Sequence, residues 1–185
     1  DARGELRQAS LRSYMARIGV TRSVFGEREP TLEEMVGVMS TYLSGDSGGV
    51  EPRPSLIDGA GQGLFATRDF GAGELLCVYR GKKVPLAASM RGEAGSSDYR
   101  MGGFGLFSVD ATDAPEVLAR YINDHADVRC LSVKFVKLVR EYTALVVALR
   151  DIAAGEELFV SYGEVYWRAR GGLLGGKGDS EDKVS

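Results

Sequence analysis

Residues Arg150–Trp167 read Arg-Asp-Ile-Ala-Ala-Gly-Glu-Glu-Leu-Phe-Val-Ser-Tyr-Gly-Glu-Val-Tyr-Trp, and this stretch divides into three parts. Asp151–Gly155 carries turn chemistry, with Gly155 free to take a positive φ. Glu157–Ser161 is a short alternating run, with Leu158 and Val160 on one side, and predicts a strand. Tyr162-Gly163 ends that strand, and Tyr166-Trp167 places two large rings just beyond it. A phenol beside a glycine at a strand end suits a concave site, because glycine lets another group approach its backbone. A hairpin strand with core aromatics fits the same residues, so both readings stand until the upstream segments are added.

Working back from there, Ser132–Leu138 and Thr143–Leu149 form a second expected hairpin, joined near Arg140-Glu141. A change of phase at Phe135-Val136 suggests a bulge in its first arm. Arg120-Tyr121-Ile122-Asn123-Asp124 places an asparagine after two bulky residues. Asn is a poor interior residue for helix or strand, so it points either to a specific hydrogen-bonding task or to an Asx turn. His125 reads as a loop imidazole rather than a metal ligand, since the chain has no second histidine. Phe104–Val109 and Leu75–Tyr79 are short apolar segments, the latter closed by Arg80-Gly81, and Ala87–Gly103 between them is expected to be a partly helical insert or a mobile loop. Gly61-Gln62-Gly63-Leu64-Phe65-Ala66 runs from a glycine turn into a strand; without a third glycine or a following helix it is no dinucleotide fingerprint.

Upstream the texture turns helical. Leu11, Tyr14, Met15 and Ile18 fall on one face, predicting a helix over Glu5–Ile18. Thr31 and Glu34 have capping-box spacing ahead of Leu32, Met35, Val36, Met39, Tyr42 and Leu43, with Gly45 as the stop. Ser44–Pro54 is expected to be a Gly/Ser/Pro linker and the boundary between domains. The expected division is a helical extension over 1–50, a main domain over 51–170 and a disordered tail over 171–185.

The 185 residues are 44% hydrophobic with a net charge of −3, enough for one buried core and without the basic field of a nucleic-acid binder. No apolar run is long enough for a bilayer span. The start at Asp1 without Met, and with no signal-peptide apolar region, reads as an excised fragment. Cys77 and Cys130 with one histidine do not make an ordinary zinc set, so buried free thiols are expected.

Taken in order, three of these segments resemble the SET domain of protein lysine methyltransferases, over about Pro54 to Arg168. They are Gly61–Ala66 followed by Gly73-Glu74 and Tyr79-Arg80-Gly81; Arg120 through Cys130; and Asp151-Ile152 through Gly155-Glu156-Glu157-Leu158 to Tyr162-Gly163. The second departs from the family pattern, with Asp124 at the usual His, and Val128-Arg129 at the usual Pro-Asn. The resemblance implies a mostly β fold with short helices, of the α+β class, built of small sheets with a knot-like C-terminal segment and preceded here by two N-terminal helices. It implies transfer of a methyl group from S-adenosylmethionine to a lysine of a protein or peptide, histone or non-histone, with a non-catalytic SET-fold binding module as the alternative. No metal, nucleic acid or membrane partner is expected, and the setting would be intracellular, nuclear or cytoplasmic, with an organelle also open.

By the same resemblance, Tyr162 would orient the target amine and Tyr79 would line the lysine channel, with Phe104 a further channel candidate. Gly61, Gln62, Gly63, Asn123, Asp124 and Trp167 would hold the cofactor, Trp167 over the adenine, with Tyr99 a further candidate. Asp124 would act through its backbone, and Cys130 would be a packed thiol.

Overall fold

A computed structural model describes residues 2–95, 97–125 and 127–169; the expected tail lies outside them. The chain opens with α1 (Ala2–Arg17), α2 (Val20–Phe25) and α3 (Leu32–Ser44). The two expected helices are α1 and α3. The six residues of α2 are fewer than two turns, too few to show a period in the sequence. The capping box of α3 is closed both ways: Glu34 N–H donates to Thr31 Oγ1 at 3.2 Å, and Thr31 N–H to Glu34 Oε2 at 2.7 Å. Gly45 ends the helix at φ 95°, where its N–H returns to the Thr41 carbonyl.

The helices cover the back of a three-stranded antiparallel sheet of β3 (Leu75–Tyr79), β9 (Thr143–Ala148) and β8 (Val133–Leu138), in that spatial order. Met15, Ile18, Met35, Met39 and Tyr42 pack there on Leu75, Val78, Leu138, Leu145 and Val147. Of the face expected on α3, Leu32, Val36 and Leu43 stand exposed instead. The other face of the sheet looks into the main core, with Cys77, Tyr79, Val133, Ala144 and Val146 meeting Leu64, Phe104, Ile122 and Leu158. A strand covered on both sides reads as an unbroken apolar run, and all six residues of β9 are buried.

This double cover also corrects the expected bulge. β8 pairs with β9 in unbroken register from Val133↔Ala148 to Leu138↔Thr143. The apparent phase change at Phe135-Val136 arises because Val133 and Phe135 serve the main core while Val136 and Leu138 serve the helical one. The irregular pairing lies in β3, between Leu75 and Cys77.

Two further small sheets complete the shell. β1 (Val50–Pro54) pairs antiparallel with β2 (Gln62–Ala66), so the second half of the expected linker is a strand. β4 (Lys82–Pro85), β6 (Phe107–Asp110) and β5 (Arg100–Phe104) form the other in that order, with helix α4 (Leu86–Met90) in the insert. The expected segment Phe104–Val109 is the turn of the β5–β6 hairpin, reversing at Gly105 with φ 68°.

Finally β10 (Phe159–Val160) lies parallel to β7 (Asn123–Asp124), and α5 (Glu164–Ala169) follows. Leu158 N–H donates to Leu64 O at 2.7 Å, and Ser132 N–H to Phe159 O at 3.0 Å. The C-terminal segment therefore crosses between β2 and β7, pairing with both. The fold is the expected one, small sheets with short helices.

Candidate active site

The β7–β10 crossing fixes the first group. Phe159 sits opposite Asn123 and Val160 opposite Asp124, so the chain leaving β10 must pass the Asp124 carboxylate. There Asp124 Oδ2 accepts the Tyr162 backbone N–H at 2.6 Å and the Trp167 indole N–H at 2.9 Å. The Tyr162 hydroxyl donates to the Ile122 carbonyl at 2.7 Å, so the ring is held at both ends against one short segment. Tyr166 meets the Tyr162 ring edge-on at 4.6 Å, while Trp167 lies nearly parallel to it, at 21° and 6.4 Å. Burial holds the Tyr162 phenol well above its ordinary range, with Tyr166 and Asp124 adding to the effect. Beyond the backbone role expected of Asp124, its carboxylate ties the two aromatic residues together.

The second group surrounds the glycine turn. Glu157 is only 4% exposed. Its carboxylate accepts from the Ser55 hydroxyl at 2.6 Å, the Leu56 N–H at 2.7 Å and the Asn123 amide at 3.3 Å. The Asn123 amide also donates to Gln62 O at 3.0 Å and Ser55 Oγ at 3.2 Å. Its nitrogen thus braces the turn, which leaves the carboxamide oxygen as its remaining acceptor. Gly63 is required by this packing, since a Cβ there would lie 2.0 Å from Glu157 Oε1. Gly61, at φ 74°, has open space where a side chain would be. Sequence reasoning missed Ser55 and Glu157. A carboxylate beginning an otherwise apolar strand was the available signal, because such a group is buried only when paired or hydrogen-bonded.

The third group lines a cavity of about 670 Å3, with Tyr79, Tyr99, Phe135, Tyr162 and Tyr166 as its aromatic walls. Tyr79, 4% exposed, comes from the end of β3 and donates its hydroxyl to the Tyr99 carbonyl. Phe135 meets it edge-on at 5.8 Å. Burial raises the Tyr79 phenol, and Asp110 raises it further. The Arg120 guanidinium lies 3.8 Å from the centroid of the Tyr99 ring. Phe104, the further channel candidate, is 1% exposed within the core, behind the residues that line the cavity. Phe135 and Tyr166 are aromatic wall residues that sequence reasoning missed, Phe135 because its place was read only as a change of strand phase.

The site residues therefore form two connected clusters. Gly61, Gln62, Gly63, Asn123, Asp124 and Trp167 gather around the crossing, Tyr79 and Tyr99 around the cavity, and Tyr162 belongs to both. Cys77 is buried and Cys130 half-buried, both as free thiols. Among the described residues, no three His, Cys, Asp or Glu side chains are grouped to hold a metal ion, and no helix is long and apolar enough to cross a membrane.

The SET domain family model matches residues 61–163. N-lysine methyltransferase KMT5A-B of Xenopus laevis is 29% identical over 141 residues, covering 71% of this chain and 41% of that protein. The Saccharomyces cerevisiae histone-lysine N-methyltransferase, H3 lysine-4 specific, is 33% identical over 110 residues, covering 54% of this chain and 10% of that one. Among solved structures, ctPRC2 in an autoinhibited conformation bound to S-adenosylmethionine matches at 26% identity and a TM-score of 0.49, over 62% of this chain and 15% of that chain. The chain spans well under half the length of these relatives.

Proposed function

From its membership of the SET domain family, to which the chain belongs across residues 61–163, we propose that this protein is a protein-lysine N-methyltransferase using S-adenosylmethionine. The observation that carries the reading is Tyr162, which joins the polar crossing to the aromatic cavity through bonds at 2.6 and 2.7 Å. A two-substrate reaction needs such a group where the two binding spaces meet.

The residues at the crossing fit the cofactor. Trp167 offers a flat aromatic face fixed by Asp124, the open space over Gly61 admits close approach to backbone, and the Asn123 carboxamide oxygen is a remaining acceptor. When bound, the cofactor supplies an electrophilic methyl group on a sulfonium. Gly61, Gln62, Gly63, Asn123, Asp124 and Trp167 would hold it. Tyr99 is better suited to the cavity, since its carbonyl is taken by Tyr79 and its ring by Arg120.

In the cavity, the protein's task is to admit a lysine side chain and present its amine unprotonated. Free lysine, with a pKa near 10.4, is almost wholly protonated at neutral pH. Walls made of Tyr79, Tyr99, Phe135 and Tyr162 disfavour the ammonium by desolvation, and the Arg120 charge acts in the same direction. Aromatic faces still hold the incoming cation before its proton departs. The Tyr162 hydroxyl, its proton committed to Ile122, offers lone pairs that orient the amine N–H groups.

The protein substrate would be a histone or another protein, in a nuclear or cytoplasmic setting. The test is transfer of labelled methyl from S-adenosylmethionine to arrayed lysine peptides, with Tyr162→Phe as control. Cofactor and peptide binding with no transfer to any lysine would instead favour a binding module.

A further inference from the structure

The charge around the cavity is out of balance with the rest of the chain. The whole sequence carries −3, yet the cavity's charged residues are the cations Arg100, Arg120, Lys134 and Lys137 against one carboxylate, Asp98. Arg100 is neutralised from behind by Asp110 at 2.8 Å. Arg120 and Lys137 have no carboxylate in ion-pair reach among the described residues.

The Lys137 side chain is exposed overall, with its ammonium set against the backbone at Gly103. On β8 it shares the face of Val133 and Phe135, the residues that serve the main core, while Lys134 belongs to the opposite phase. Its ammonium lies against Gly103, at φ 90°, where a Cβ would come within 2.7 Å of Nζ. Gly102 and Gly103 fall in the irregular stretch of β5, between Met101 and Phe104. The glycine pair thus opens a berth on the cavity wall, with the ammonium 5.8 Å from the Phe104 ring centroid. Burial lowers the Lys137 pKa, as expected for a cation part-way out of water without a partner.

We propose that Lys137 is a specificity residue that selects substrates bearing an acidic side chain close to the target lysine, and that the cavity disfavours strongly basic segments. This rests on the lysine-transfer reading above. Phe135 touches Tyr79 at the cavity wall, and Lys137 lies two residues further along the strand. At roughly 3.3 Å per residue, that is a displacement of about 7 Å. The same displacement separates side chains two positions apart on an extended peptide. An Asp or Glu two residues from the target lysine would therefore meet the unpaired ammonium, whereas an Arg or Lys there would meet like charge.

The experiment uses the full chain with the demethylated cofactor product and fluorescent peptides containing one central lysine, differing only in Glu, Ala or Arg two residues to either side. Anisotropy gives affinities, and labelled transfer from S-adenosylmethionine is measured on the same peptides. Glu on one side should bind roughly two- to fivefold tighter than Ala, the range of a partly exposed ion pair, and Arg weaker than Ala. Lys137→Glu should invert the order. Lys137→Ala should flatten it, and Lys82→Glu, on β4 and outside the cavity, should leave it unchanged, all with similar melting temperatures. Equal affinities, a preference for Arg, an order unmoved by Lys137→Glu, or no peptide binding would overturn the proposal. Acidic selectivity in binding with no methyl transfer would sink the enzymatic reading and leave the selectivity standing.

Discussion

Asp124 accepts the backbone N–H of Tyr162 on its Oδ2 at 2.6 Å, across 38 residues of sequence. The same oxygen takes the Trp167 indole N–H at 2.9 Å, so one carboxylate sets the position of two aromatic residues. The arrangement requires a hydrogen-bond acceptor at this place in the chain. A neutral acceptor keeps the geometry with weaker bonds, and an apolar residue removes both.

Asp124→Ala should therefore cost about 1.5–3 kcal/mol of stability, the range for hydrogen bonds to a charged group. It should also weaken cofactor binding through the loosened Trp167. Asp124→Asn should fall between wild type and Ala in both respects. Denaturant unfolding and calorimetry with S-adenosylmethionine check this. An Ala variant matching wild type in both measurements would remove Asp124 from the site.

The glycine turn makes a second demand. An alanine at Gly63 would place its Cβ 2.0 Å from Glu157 Oε1, and that carboxylate is held by Ser55, Leu56 and Asn123. Gly63→Ala should cost about 1–3 kcal/mol, as overpacking does. Glu157→Ala should also destabilise, by leaving buried donors unpaired. The double variant should lose less than the sum of the two, because the clash needs both groups. Strict additivity in a denaturation cycle would show that the carboxylate is free to move.

Much of this was legible in the sequence where one residue type has one physical use. Gly155 at φ 92° and Gly45 at φ 95° are the turn and helix stop their positions suggested. Thr31 and Glu34 close the box that their spacing announced. Legibility fails where a side chain's partner is remote. Glu157 reaches Ser55 across 102 residues, and Asn123 reaches Gln62 across 61. No local pattern records such pairings; only the crossing of β10 past β7 creates them. The bulge misplaced at Phe135-Val136 has the opposite cause, since a strand that sends apolar side chains into a core on each face shows a change of phase without any break in its pairing.

The pH profile should report the substrate rather than the phenols. Burial pushes both Tyr162 and Tyr79 above the ordinary tyrosine value of 10.0. For an acid raised in the folded state, the neutral form that donates to Ile122 and to Tyr99 persists below that value. The stability it contributes is complete below 10.0 and declines only as pH climbs above it toward the folded values. Rate should therefore rise from about pH 7 to 9.5 as the substrate amine loses its proton, with no descending limb from tyrosine. A falling limb in kcat/KM, with the fold intact by circular dichroism and a midpoint below about 9, would mean a phenol ionises in the working range.

Tyr162→Phe isolates the hydroxyl from the ring. The ring stays fixed by its backbone N–H on Asp124 and by contacts with Tyr166 and Trp167. What is lost is the bond to the Ile122 carbonyl at 2.7 Å, worth about 0.5–1.5 kcal/mol of stability, together with the lone pairs proposed to orient the amine. If those lone pairs act mainly in the transition state, kcat and kcat/KM should fall together while cofactor affinity holds. Loss of one such preorganised contact corresponds to roughly a hundredfold to a thousandfold in rate. A merely structural hydroxyl would give the same small stability loss with turnover preserved. The two cases separate when single-turnover rate, cofactor affinity and unfolding free energy are measured on the same preparation. A lowered unfolding free energy with an unchanged rate would assign Tyr162 to the packing of the crossing alone.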